Sequence, residues 1–84
     1  MIKKVVVDIN KNGNRYFSDL YSDVFKHKLQ RLLSAISKRS NINIPQEDSY
    51  VVSDENDVYS ISVDIDIDEI SLNNLPIGLK KHIT

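Results

Sequence analysis

Residues 59–68 alternate almost without interruption, with Tyr59, Ile61, Val63, Ile65 and Ile67 on one side and Ser60, Ser62, Asp64, Asp66 and Asp68 on the other. Successive side chains of an extended chain point to opposite faces, so this spacing specifies a β-strand with one apolar and one polar face. A helix would scatter the same five apolar residues around its circumference. The strand therefore needs a second layer to cover its apolar face, and it holds its aspartates in water. Residues 50–53 and 57–68 are separated by Asp54-Glu55-Asn56, a polar run of turn formers, and read as a hairpin. The earlier strand is about half as long, so the stretch around residues 64–68 requires another neighbour, because an unpaired stretch is costly.

Residues 2–10 supply it. Val5, Val7 and Ile9 alternate with Lys4, Val6 and Asp8, in the β-branched pattern of a strand. An antiparallel approach is expected to set Lys3 and Lys4 beside Asp66 and Asp68, offsetting the repulsion between the carboxylates. Asn12-Gly13 is a hairpin signal, since both residues tolerate positive φ, and Arg15-Tyr16-Phe17 reads as a short return strand.

The covering layer is a helix. Ser18 and Ser22 are candidate N-caps, each followed by an aspartate suited to the positive end of a helix. At about 100° per residue, Tyr21, Phe25, Leu29, Leu32, Leu33 and Ile36 fall within an arc of roughly 120°, the width of a core-facing stripe. Polar residues and Pro45 place the helix end near residues 39–41, for a length of about 27 to 30 Å. In the tail, Leu72, Leu75, Ile77, Leu79 and Ile83 with Pro76 at a first helical position and Gly78 just inside read as a short capping helix. The expected fold is α+β: a two-layer body with an antiparallel sheet of three to four strands in the order hairpin, helix, hairpin. One long amphipathic helix covers one face, and the short C-terminal helix closes an end.

Eighty-four residues make a single domain, residues 1–84, with 40% hydrophobic and 27% charged residues, the balance of a folded soluble protein. There is no cysteine, which excludes disulfides and thiolate metal sites and fits a reducing compartment. No signal-peptide core and no membrane-length apolar run are present, so the expected location is cytoplasmic, with no membrane partner.

Charge is divided along the chain. Residues 1–45 carry nine basic and three acidic side chains, and residues 46–84 carry two lysines and nine carboxylates, so a total of −1 conceals halves of +6 and −7. Separated surface charge steers association and speaks to partners rather than to chemistry. The acidic candidate is the strip Asp64, Asp66, Asp68 and Glu69, about 13 Å long, which can dock a cationic protein surface or serve only to keep the sheet soluble. The basic candidate is the helix ridge of His27, Arg31 and Lys38 with Lys28 and Arg39 on its shoulder, which can lie along nucleic-acid phosphates or can be an ordinary solvated face.

Catalysis finds little material. Counted from Asp64, an EF-hand loop would need Gly at Glu69 and a bidentate Glu at Leu75, so that pattern fails. A magnesium-dependent enzyme built on the strand carboxylates lacks a phosphate-cradling glycine loop. His27 and His82 have no ligand spacing for zinc, and two glycines leave no serine elbow or oxyanion hole. No cofactor, metal or catalytic residue is therefore assigned. The leading expectation is a small non-enzymatic interaction protein, an inhibitor or regulator, that engages a basic partner surface through its acidic sheet face. Nucleic-acid binding by the helix ridge is the alternative, and the opposed charges make a homodimer a secondary expectation.

Overall fold

The protein was analysed as a computed structural model that describes residues 1–10, 25–55 and 58–84. In chain order its elements are β1 (Ile2–Asn10), α1 (Phe25–Ser37), a 3-10 turn (Glu47–Ser49), β2 (Val51–Glu55), β3 (Val58–Asp66), α2 (Glu69–Asn74) and α3 (Ile77–Lys80). The architecture is α+β, two layers deep. The described strands form one antiparallel sheet in the order β1-β3-β2, so the first strand lies beside the last along the whole length of both. The predicted helix start near Ser18 or Ser22, the Asn12-Gly13 hairpin and the Arg15-Tyr16-Phe17 return strand lie outside the described residues.

Period-two patterning sets the core. Val5, Val7, Tyr59, Ile61, Val63, Ile65 and Ile67 are all buried on the sheet face that meets Leu29, Leu33 and Ile36 of α1. Leu75 is buried in the same cluster, with Leu72, Leu79 and Ile83 packed against it, so α2 and α3 extend the helical layer. Five of these side chains, Val5, Leu29, Leu33, Ile36 and Ile61, are wholly excluded from solvent. Burying a residue of this size contributes about 1.5 to 3 kcal/mol relative to exposure, which makes this small cluster the main stabilising term.

Helix α1 ends where its backbone acceptors find local partners. The Ser40 amide and its Oγ both donate to the Ile36 carbonyl at 2.9 Å, and the Arg39 amide donates to the same oxygen at 3.0 Å. These bonds tighten the last turn and satisfy a carbonyl that the helix would otherwise leave unpaired. The tail is held differently. The Lys4 amide donates to the Thr84 carbonyl at 3.0 Å, and the Thr84 amide returns a bond to the Lys4 carbonyl at 2.9 Å. Residues 82–84 thus close the outer edge of β1, where Val5 and Ile83 form an isolated bridge. An edge left open there would be a template for pairing with another chain.

Two expectations are corrected. The register sets Lys4 across from Asp64 and Ile2 across from Asp66, whereas Lys3 faces Ile65 on the covered side of the sheet. The strand also ends at Asp66 rather than Asp68, because Asp68 caps α2. Charge offset along the acidic row therefore comes from one lysine. The second contribution is the terminal ammonium of Met1, which donates to Asp66 Oδ1 at 2.9 Å.

Candidate functional interface

Among the described residues no helix lies on the outer face of the sheet. Its rows follow from the register: Ile2 beside Asp66, Lys4 beside Asp64, Val6 beside Ser62 beside Val51, and Asp8 beside Ser60 beside Ser53. Asp64 and Asp66 stand exposed, as do Asp68 and Glu69 just past the strand end. The face is less polar than β3 alone implies. Ile2, beside Asp66, is 64% exposed and Val51, beside Ser62, is 60% exposed, with half-buried Val6 on the other side of Ser62. Alternation within one strand could not reveal this, because the apolar members come from both neighbours.

The four acidic candidates differ in what they do. Asp64 and Asp66 project from the strand, while Asp68 accepts from the Ser71 amide at 2.7 Å and from Ser71 Oγ at 2.9 Å. Those two bonds, the amide bond foremost, hold the Asp68 carboxyl below the usual carboxylate range. Its position is structural even though its charge remains in solvent. Glu69 occupies the first turn of α2, where negative charge suits the helix dipole.

The second candidate surface lies on the opposite side of the molecule. His27, Lys28, Arg31, Lys38 and Arg39 are all exposed. None forms an ion pair among the described residues, whereas the neighbouring Lys26 bonds Glu47 Oε1 at 2.8 Å. Between the cations lies an open hollow of about 520 Å³ with the small residues Ser34 and Ala35 at its middle. From His27 to Arg39 this surface runs about 18 Å along the helix axis.

Lys28 and Arg31 also border a groove of about 330 Å³ between α1 and the edge of β1, with Asp8 and His82 opposite and Val7 and Leu32 beneath. His82 was not a sequence candidate for any role. Its Nδ1 lies 3.1 Å from the Val6 carbonyl, which can only accept, so Nδ1 carries the proton of that bond. His82 therefore lies beside Lys28 and Arg31 although it belongs to the acidic half of the chain. Nothing in the local pattern signals this, since it depends on the tail pairing with β1.

Among the described residues no three histidine or acidic side chains are grouped to hold a metal ion. No described helix is long and apolar enough to cross a membrane. Comparison with known proteins adds no lead: no family model matches the chain, and no curated protein or solved structure matches it significantly.

Proposed function

We propose that this chain is a non-enzymatic interaction protein whose uncovered sheet face docks a basic surface of another protein, in an inhibitory or regulatory role. The observation that supports this reading is the composition of that face. Exposed Asp64 and Asp66 flank exposed Ile2 and Val51, with Asp68 and Glu69 extending the negative charge and exposed Ile70 beside them. A face serving only solubility would carry polar residues at those apolar positions. Apolar contact area supplies affinity to an interface, while the carboxylates select a cationic partner and speed encounter.

A second reading rests on the exposed cations of α1 and of the turn that follows it. Exposed His27, Arg31, Lys38 and Arg39 around the Ser34 and Ala35 hollow, with Lys28 beside them, favour an anionic polymer, and nucleic-acid phosphates match both the charge and the linear extent. The two readings use opposite sides of the protein and separate by mutation. Affinity capture from a lysate with identification of the captured molecules, with and without nuclease, is compared for wild type, Asp64→Lys/Asp66→Lys and Arg31→Glu/Lys38→Glu. Loss of a protein partner only in the aspartate variant supports the sheet-face reading, and unchanged capture by that variant eliminates it. Nuclease-sensitive capture lost only in the Arg31 and Lys38 variant supports the second reading.

A further inference from the structure

Strand β3 is longer than β2. The β2 register with β3 begins at Val51 opposite Ser62, so residues 63–66 have no β2 partner, and the chain before β2 forms a 3-10 turn instead of continuing as strand. What that edge presents follows from the other side of the sheet. Both backbone groups of Lys4 bond Thr84, which directs them away from β3. In an antiparallel ladder, directly opposite residues either both face each other or both turn away. Asp64, opposite Lys4, therefore turns its N–H and C=O away from β1 and toward the edge that no other described strand fills. Asp66 does the same two residues on, and neither is bonded to other backbone among the described residues.

We infer that this overhang accepts an extended, basic segment of the partner protein as an added strand. The inference rests on the sheet-face reading and specifies how the partner is held. Main-chain bonds to Asp64 and Asp66 supply the pairing, as in recognition by strand addition, and side chains at alternate positions supply selectivity. Partner residues opposite Asp64 and Asp66 share their face, so lysine or arginine at every second position forms cross-strand pairs with the carboxylates. A hollow of about 180 Å³ lined by Lys4, Ser49, Val51, Ser62, Val63 and Asp64 lies at the start of this edge. A second copy of this chain is a poor occupant, because edge-to-edge pairing would set its Asp64 and Asp66 against their counterparts.

The test uses three synthetic peptides of equal charge and composition. One alternates lysine and valine, the second is the same sequence methylated on the lysine backbone nitrogens, and the third groups its lysines in a block. With the alternating peptide, exchange of the Asp64 and Asp66 amides with solvent should slow roughly tenfold or more, because pairing shields them. The methylated peptide should bind roughly tenfold or more weakly, since its pairing donors are gone. Equal binding of the alternating and methylated peptides, or of the alternating and block peptides, overturns strand addition and leaves docking by charge in place. Failure of all three to bind overturns both readings.

Discussion

Val6 and His82 hold each other through two bonds across 76 residues of sequence: the Val6 amide donates to the His82 carbonyl at 2.7 Å, and His82 Nδ1 donates to the Val6 carbonyl at 3.1 Å. The first bond needs only backbone, whereas the second needs a side chain with a donor at that distance. His82→Ala is expected to cost about 0.5 to 1.5 kcal/mol, the net value of one such bond. His82→Asn, whose amide nitrogen can take the place of Nδ1, should restore most of it. Urea denaturation measures the loss, and faster exchange of the Lys4 and Val6 amides in the alanine variant locates it at the β1 edge. Equal stability of the alanine variant and wild type would show that the ring bond adds nothing to the clamp.

Leu33 is fully excluded from solvent at the centre of the α1 stripe. Leu33→Ala should destabilise by about 2 to 5 kcal/mol through lost burial and the cavity left behind. A domain of this size has roughly 4 to 13 kcal/mol in total, so the effect is a large fraction of its stability. Val51→Ala, at a position 60% exposed, should change stability by no more than about 0.5 kcal/mol. Chemical denaturation of the two variants side by side tests whether the core lies where the sheet meets α1. If Val51 serves as an interface residue, its variant weakens partner capture without weakening the fold.

The Asp68 cap predicts a pH dependence with a definite sign. Its carboxyl is held below the ordinary range by the Ser71 bonds, so the folded state favours the ionised form. That contribution is complete above the ordinary carboxylate pKa and disappears as pH falls through the depressed folded value. Asp68→Ala should remove this part of the acid dependence and fray α2, seen as faster exchange of the Ser71 and Leu72 amides. Asp68→Asn should keep α2 intact, because asparagine also caps, while abolishing the titration. An acid profile unchanged in the alanine variant would refute the assignment.

Tyr50 titrates in the opposite sense. Its phenol is raised above the usual tyrosine value, first by burial and then by the nearby Glu47 charge, against a lowering by the Gln30 side chain. The folded state therefore favours the protonated phenol, and this contribution is present below the ordinary tyrosine pKa and lost as pH rises through the raised one. Spectrophotometric titration should show a late-ionising tyrosine component, and Tyr50→Phe should reduce it by one tyrosine. Loss of the late component in the unfolded protein would confirm that tertiary structure creates it.

Asp66 pairs with the Met1 ammonium in full solvent, its side chain 76% exposed. Pairs of this kind are worth about 0 to 1 kcal/mol, so Asp64→Lys and Asp66→Lys should leave the fold close to wild-type stability while reversing the charge of the face. Thermal denaturation at low and high salt checks this. A strongly destabilised variant would mean that the acidic row supports the fold rather than a partner.

Local chemistry made the main elements legible. Alternation in residues 59–68 specified β3 and its two faces, and the spacing of Leu29, Leu33 and Ile36 specified the helix that covers one of them. The need of a long strand for a second neighbour specified the pairing of β1 with β3. Exposure of Asp64 and Asp66 followed from the same period of two, because burying Ile61, Val63 and Ile65 forces the intervening residues outward. All of these depend on residues close in sequence, where backbone geometry fixes the spacing.

Tertiary structure alone decided the rest. The register shifted Lys3 away from the aspartates and set Lys4 against Asp64, because a shift of one residue exchanges faces and only packing of the whole core selects among alignments. Asp68 left the strand to cap α2, a choice made by Ser71 rather than by the alternation. His82 came to border the groove of Lys28 and Arg31 when the tail closed the β1 edge, and Val6 and Val51 met on either side of Ser62 only because three strands are aligned there. The amino-acid order assigned each residue its face, and long-range hydrogen bonding between distant segments determined which faces became neighbours.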